Sequence, residues 1–401
     1  MEVLFISYKY PPAIGGMQKQ SYELITGASK FSTVHTILYD NSSSLIWFFI
    51  SLYWRIPLLL RRHRNIQLIH FNDGISALLG AWLKLFTRRP LVMTYHGLDL
   101  VFPNRFYQKF LLKIVQRFDA IITVSEATRL AALERGFSPD KVHTVCNGVS
   151  RETIDQTLVQ KALVQLISEK SKDKQLLVSI GRPVKRKGVN WFVKQVLPSL
   201  DNCLFVLIGP HPNYSKTKEN LLACLPKKLR TQVALFFGLS TEHHELQALA
   251  DNHPDEFIWL QRANHQTKNH LLSLADLFIM PNQKVKGDME GFGLVALEAN
   301  VHNTRVIASD LEGITSAVQH GKNGFLVEAD RVESWVEQIE QCLQDETHLY
   351  HQAEMQEFLE QNYSWDKMVH GYLKVFQKVV SDKQSNARTR IPEYSINNRL
   401  S

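Results

Sequence analysis

Three loops in this chain carry residue types that could act on a phosphorylated ligand. The richest reads "MPNQKVKGDMEGFGLVALEAN": an apolar run ending at Met280–Pro281, a polar loop, then a helix expected from about Gly293. The first amides of a helix lack intrahelical acceptors and carry the positive end of its dipole. Those of Gly293, Leu294 and Val295 would therefore suit a diphosphate. Glu290, followed by Gly291 and Phe292, stands just before the helix, at the depth of a sugar attached to that diphosphate. Glu298, more than one turn in, could accept hydrogen bonds from ribose hydroxyls. Gly291 and Gly293 leave the backbone open to close approach. Capping and ordinary surface charge also put two glutamates around a helix start, and read alone the segment allows either.

A second loop, "SIGRPVKRKG", follows an apolar run at Leu176–Ile180. Gly181 ends the run, and Arg182 and Lys187 then stand at its carboxyl end. Departure of a nucleoside diphosphate builds negative charge on the phosphates, and a preorganised Arg/Lys pair stabilises that charge without a metal. In isolation a charged surface loop would look the same. The third loop, "YPPAIGGMQKQ", follows the first apolar run. Here Gly15 and Gly16 permit a tight turn into a helix near Met17, whose bare amides favour an anion. A plain strand-to-helix turn fits as well. The loop is not GxGxxG, and no GKS or GKT P-loop occurs in the chain, which argues against an NTPase.

The elements that would position these loops are those of a doubly wound α/β chain. Strand candidates in the first half are Val3–Ser7, Val34–Tyr39, Leu68–Phe71, Leu91–Tyr95, Ala120–Val124 and Val142–Val145. In the second half they are Leu176–Ile180, Leu204–Ile208, Phe257–Trp259, Leu277–Met280 and Arg305–Ala308. Amphipathic stretches alternate with them, the pattern of βαβ units around parallel sheets. Ser125–Arg135 reads as a helix with Ser125 as N-cap and Gly136 as stop. The polar stretch Ser150–Lys174 predicts the join between two domains, 1–168 and 174–360, with a closing helix at 361–381 and a loose tail at 382–401. Ligands of such sheets bind beyond the carboxyl ends of the strands, so two facing sheets would share one cleft. The stretch between Ile208 and Phe257, with "HPNYSKTKEN" and "STEHHELQ", would form a rim of that cleft or a partner surface. His243–His244 reads as a solvated helix start and not as metal ligands.

A length of 401 residues with 44% hydrophobic and 21% charged residues fits two ordinary cores and not a disordered chain. Cys146, Cys203, Cys224 and Cys342 lie far apart and read as incidental thiols of a reduced chain. The start, "MEVLFISYKYPP", is acidic with a short apolar run, so it reads as a first strand and not a signal peptide. The net charge of +7 is concentrated: residues 1–168 hold 19 Lys and Arg against 11 Asp and Glu, and the remainder nets −1. Such a field suits nucleic acid, an anionic membrane or a phosphorylated substrate. No RNA- or DNA-binding motif accompanies it, so nucleic acid is not expected. Leu45–Tyr53, followed by "WRIPLLLRRHR", falls short of the roughly 20 residues of a spanning helix. It and Arg105–Phe118, which sets Phe106, Phe110 and Ile114 among basic residues, are either core helices or segments lying on the inner face of the plasma membrane.

Taken together, these residues resemble the retaining glycosyltransferases of family 4, which have the GT-B fold. The matching pieces are "PPAIGG", "TYHGLD", "DAIITVSEATR", "NGV", "GRPVKRKG", "ADLFIMPN", "EGFGLVALEA" and "GKNGFLV", in family order over residues 1–330. "YSWDKMVHGYLKVF" is similar to the family's last helix, which packs back on the first domain. The resemblance implies two Rossmann-like domains facing a central cleft. It implies a cytoplasmic enzyme that moves a sugar from a UDP- or GDP-linked donor, with no cofactor or metal, to a glycan or lipid-linked acceptor, as in lipopolysaccharide or exopolysaccharide assembly. Gly16, beside Gly15, would approach the donor diphosphate, and His96 would sit by the transferred sugar. Arg182 and Lys187 would neutralise the leaving diphosphate, Glu290 would bind sugar hydroxyls near the anomeric centre, and Glu298 the ribose. Configuration would be retained by front-face attack through an oxocarbenium-like state, the family having no settled protein nucleophile, and Glu290 is not assigned that role. Two places depart from the family: "EGITSAV" stands where Gly-Gly-Xaa-Pro-Glu is common, and "IWLQRAN" lacks a glycine that many relatives carry. The alternatives are a nucleotide-sugar epimerase of the same fold and, in a different class, a basic binding protein without catalysis.

Overall fold

The computed structural model describes residues 1–42, 44–210, 225–237, 242–345 and 352–388. Its apolar runs form two six-stranded parallel sheets. In the first, β1 (Glu2–Ser7), β2 (Thr33–Leu38), β3 (Leu68–Phe71), β4 (Leu91–Tyr95), β5 (Ala120–Thr123) and β6 (Val142–Thr144) lie in the order β2-β1-β3-β4-β5-β6. In the second, β7 (Gln175–Ile180), β8 (Cys203–Ile208), β9 (Phe257–Leu260), β10 (Leu277–Met280), β11 (Arg305–Ser309) and β12 (Phe325–Val327) lie in the order β12-β11-β10-β7-β8-β9. Helices cover both faces, which is why central strands such as β3, β4 and β10 are buried at every residue and read as continuous apolar runs. β12 was not among the expected strands: three residues at a sheet edge, two of them half-buried, give no period to read.

On one face of the first sheet, α1 (Gly16–Ser29) packs against the C-terminal helix Trp365–Arg388. Gly27 lies over Val369, and Gln20 Nε2 donates to Tyr372 Oη at 3.1 Å. On the other face, α2 (Leu45–Arg62) sets Phe48, Leu52, Ile56 and Leu60 into the core with Leu4, Ile6, Ile69 and Phe71. α3 (Gly74–Gly80) follows β3 with Asp73 as its N-cap. The helix Glu126–Glu134 is capped by Ser125, whose Oγ accepts from Thr128 N at 3.1 Å, a contact worth about 1 kcal/mol. It stops at Gly136, whose φ of 82° turns the chain away.

The chain crosses between the halves twice, side by side. Val149 N donates to the Tyr363 carbonyl at 2.6 Å and pairs with Ser364, while a Cβ on Gly148 would stand 2.5 Å from Trp365 N. The C-terminal helix then runs to Arg388, past 382, where the sequence reading began the tail. "SDKQSNAR" contains no proline or glycine to stop it, and Lys383 Nζ reaches Asp119 Oδ1 at 2.9 Å. Residues 389–401, Cys224 and "HPNYSKTKEN" lie outside the described residues. His243 opens the helix His243–Asn252 but is buried and not solvated, its ring 4.0 Å from that of His244. Among the described residues no helix is long and apolar enough to cross a membrane.

Candidate active site

Glu290 lies in the loop after β10, where the carboxyl end of a central parallel strand releases the chain. Gly293, at φ 90°, closes that loop and starts the helix Leu294–Val301, and no side chain caps it. The Glu290 side chain is only 14% exposed. Its Oε2 gathers three donors: Lys187 Nζ at 2.7 Å, Asn282 Nδ2 at 3.1 Å and the Arg186 guanidinium. Arg186 also pairs with Asp288 Oδ1 at 3.1 Å. Burial pushes the Glu290 carboxyl up, but the Arg186 and Lys187 charges overcome it and hold it at about 2. For Lys187, burial outweighs the pull of Glu290, so its ammonium sits below the ordinary lysine value. A carboxylate oxygen committed to two cations and an amide is a weak nucleophile and a firm anchor.

The departure "EGITSAV" forms the rest of this cradle. Glu290 N donates to Glu312 Oε2 at 2.7 Å, and Gly313 N donates to the Glu290 carbonyl at 3.0 Å. Glu312 itself is left-handed, at φ 51°. Next to it, the two halves meet main chain to main chain. A Cβ on Gly291 would stand 1.7 Å from the His96 carbonyl oxygen, and one on Gly97 2.8 Å from Gly291 Cα. Leu294, at the helix start, lies against Gly16, whose added Cβ would be 3.8 Å from Leu294 Cδ2. His96, Gly16 and the Glu290–Leu294 run are therefore brought together.

His96 Nε2 lies 3.0 Å from the Asn72 carbonyl. A carbonyl only accepts, so Nε2 carries the proton and Nδ1 the lone pair. Burial, opposed by the Asn72 bond and assisted by the Lys9 charge, brings the His96 pKa down to about 4, and the ring is neutral. Beside it stand two carboxyls that sequence reasoning missed. Asp99 accepts from His96 N at 2.8 Å and from Gly74 N at 3.2 Å, and Asp73 from Ser76 N at 2.7 Å and Tyr8 N at 3.4 Å. Burial raises Asp99 to about 7 and Asp73 to about 6, against those amide bonds. The signal was position: both follow the carboxyl end of a strand.

A raised carboxyl pKa has a definite sign in stability. Between the unfolded carboxyl value and about 7, folded Asp99 keeps a proton that the unfolded chain has lost. Stability is therefore fully present below that window and declines as pH rises through it. His96, held below its ordinary value, contributes with the opposite sign, but it is present in both proteins when wild type is compared with Asp99→Asn. Thermal midpoints measured from about pH 5 to pH 8 should shift steadily in favour of the variant. A constant difference across that range would mean that Asp99 is already ionised at the acid end.

The remaining expected site residues divide. Arg182 is exposed on the same loop, while Arg186, which sequence reasoning passed over, joins Lys187 on the Glu290 carboxylate. The Arg182 charge acts on both Lys9 and Lys187 and lowers them. Gly15 is extended. The Phe292 ring is buried, 6.3 Å from that of Tyr363, so only its main chain is left for the cleft. Glu298 pairs with Lys268 Nζ at 2.6 Å and approaches Lys19 Nζ at 4.0 Å. Lys19 in turn holds Glu152 at 2.7 Å, and Glu152 holds His265 Nε2 at 2.5 Å. These residues line a small hollow with Asn269 and His302.

Two family models match in series: Glycosyltransferase Family 4 over residues 3–153 and Glycosyl transferases group 1 over residues 164–365. The chain is 30% identical to the D-inositol 3-phosphate glycosyltransferase of Corynebacterium urealyticum, over 92% of this chain and 78% of that protein. Among solved structures it is similar to sucrose-phosphate synthase of Thermosynechococcus elongatus, with a TM-score of 0.70 and 18% identity over 95% of this chain and 99% of that one. It is also similar to HepE of Anabaena, solved in complex with UDP-glucose, with a TM-score of 0.64 and 18% identity over 96% of this chain and 100% of that one.

Proposed function

The chain belongs to the group 1 glycosyl transferases, with the GT-B fold, and from that premise we propose that it transfers a sugar from a UDP- or GDP-linked donor with retention and without a metal. The observation that carries this reading is the convergence of Lys187 and Arg186 on Glu290, directly across the Gly97–Gly291 contact from His96. In that arrangement the donor diphosphate lies against the amides of Gly293, Leu294 and Val295 and against Gly16, with Lys187 and Arg182 taking up its developing charge. Glu290 Oε1, the oxygen not shared with Arg186, Lys187 and Asn282, receives the sugar hydroxyls. The bond from the anomeric carbon to the phosphate oxygen breaks as the acceptor oxygen bonds to that carbon from the same face. The acceptor proton passes to the departing phosphate. Neutral His96 orients the sugar, and Glu298 receives the ribose once its hold on Lys19 and Lys268 relaxes.

The acceptor, in this reading, is a glycan or lipid-linked glycan of a cell-surface polysaccharide, modified on the cytoplasmic side. The relative from Corynebacterium urealyticum is named for D-inositol 3-phosphate, and phosphorylated acceptors belong in the same trial. The test is a thermal-shift panel of UDP- and GDP-sugars in chelator, followed by NMR of the product anomer. A donor at about 100 times its Kd adds about 2.7 kcal/mol to stability, a rise of a few degrees. Glu298→Ala should reduce that rise without abolishing it. No rise with any nucleotide sugar, or an inverted anomer in the product, would overturn the proposal.

A further inference from the structure

α2 is apolar on both sides, and only one side is covered. Away from its core face, Ile46, Trp47, Ile50, Tyr53, Trp54 and Leu58 are exposed, Ile46 at 73% and Leu58 at 65%. The apolar surface continues onto the turn after Ala81–Leu85, where Leu85 and Phe86 are 78% and 76% exposed. The Trp82 ring joins the two, stacked on Tyr53 at 5.7 Å and on the edge of Phe86 at 5.6 Å. A third element, the helical run 105–115, adds exposed Phe106, Phe110 and Ile114. The inner sides of all three share one core under the first sheet, so their outer sides form one face.

The charge on this face is predominantly positive, its acids being Asp40 near Arg55 and Asp119 paired with Lys84. Residues 41–118 contain 11 Lys and Arg and only two acids, Asp73 and Asp99, both hydrogen-bonded in the cleft wall. Arg55, Arg61, Arg62, Arg64 and Arg88 are exposed beside α2 and the Phe86 turn, and Arg105, Lys109 and Lys113 beside Phe110. A second copy of the chain would bring the same charge to the contact and be repelled. Tryptophan and tyrosine among apolar residues, rimmed by arginines, match the boundary between lipid headgroups and acyl chains. The face also reaches the cleft: Phe49 of α2 packs at 5.4 Å on Tyr8, whose amide bonds Asp73.

We propose that this face docks on an anionic lipid bilayer, with α2 lying flat in the headgroup region. The cleft mouth beside Asp73 and Asp99 then opens at the bilayer surface; that one consequence, delivery of a membrane-borne acceptor, rests on the transferase reading. Docking itself is tested without turnover, by sedimenting the full chain with phosphatidylcholine vesicles that contain or lack phosphatidylglycerol. Binding should require phosphatidylglycerol and weaken at least tenfold between about 0.1 and 1 M salt, where screening shortens to a few ångströms. Trp47→Ser with Trp54→Ser, and separately Arg61→Gln with Arg62→Gln, should each lose tenfold or more, with thermal midpoints and turnover on a soluble acceptor unchanged. Failure of the folded wild type to sediment, or variants that bind like it, would overturn the proposal. So would a concentration-dependent dimer that the tryptophan changes abolish, without vesicle binding.

Discussion

Lys187→Ala is expected to lower turnover by roughly 10²–10³-fold, the usual cost of removing one preorganised group from a developing anion. Donor affinity should change much less, because the amides at Gly293–Val295 and the Gly16 turn are untouched. The fold should survive, since Arg186 and Asn282 remain on Glu290 and the carboxylate keeps a cationic partner. Arg186→Ala is the contrasting change: it strips Asp288 of its ion pair and leaves Lys187 as the one cation, beside the Asn282 amide, on Glu290. Unpairing buried charge costs about 3–5 kcal/mol, so that variant should show its loss first in the thermal midpoint. Steady-state kinetics at saturating donor, with melting curves alongside, separate the two. A folded Lys187→Ala protein with wild-type kcat would remove Lys187 from the chemistry.

Gly291→Ala should be as damaging by a different route. Its methyl would stand 1.7 Å from the His96 carbonyl oxygen, where van der Waals contact needs about twice that, so the two halves must separate by more than 1 Å at the reacting centre. A misplacement of about 1 Å costs on the order of 10²-fold in rate. The cores on the far face of each sheet stay intact, but Phe292, Leu294 and Leu297 share a core with Val3, Phe5 and Leu24, so the thermal midpoint should also fall, by a few degrees. Small-angle scattering should report a more open particle, and turnover should fall at least a hundredfold. Wild-type activity in this variant would mean that the His96–Gly291 contact loosens before reaction.

The strands were legible because burial on both faces turns a parallel strand into an unbroken apolar run, as in β3, β4 and β10. Glu290 and Lys187 were legible from their places at strand ends. Arg186 was not, because "KRK" offers three like residues and a tight turn through Lys185–Lys187, ended by left-handed Gly188, decides which of them faces inward. Asp73 was hidden by doing something ordinary at the same time, capping α3. Asp99 ends the stretch "TYHGLD", but the carboxyl that acts on it, Asp73, is 26 positions earlier and only the sheet brings it near. For α2 the sequence left a core helix and a membrane-surface segment both open, and the fold shows that Phe48, Leu52, Ile56 and Leu60 take the core side while Ile46, Trp47, Ile50 and Trp54 stay outside.

The paired crossings at Val149 and Ser364 govern how the molecule can move. Two segments bonded side by side bend about a single line, as a door does, and resist the twisting that a lone tether would permit. Any opening of the cleft is therefore expected to follow a swing about that line, with Glu290 leaving His96 along an arc. The last helix starts at that line and lies along α1, so it rides with the first sheet although it is synthesised last. A distance label pair with one probe on its outer turns and one on the second sheet would report such a swing.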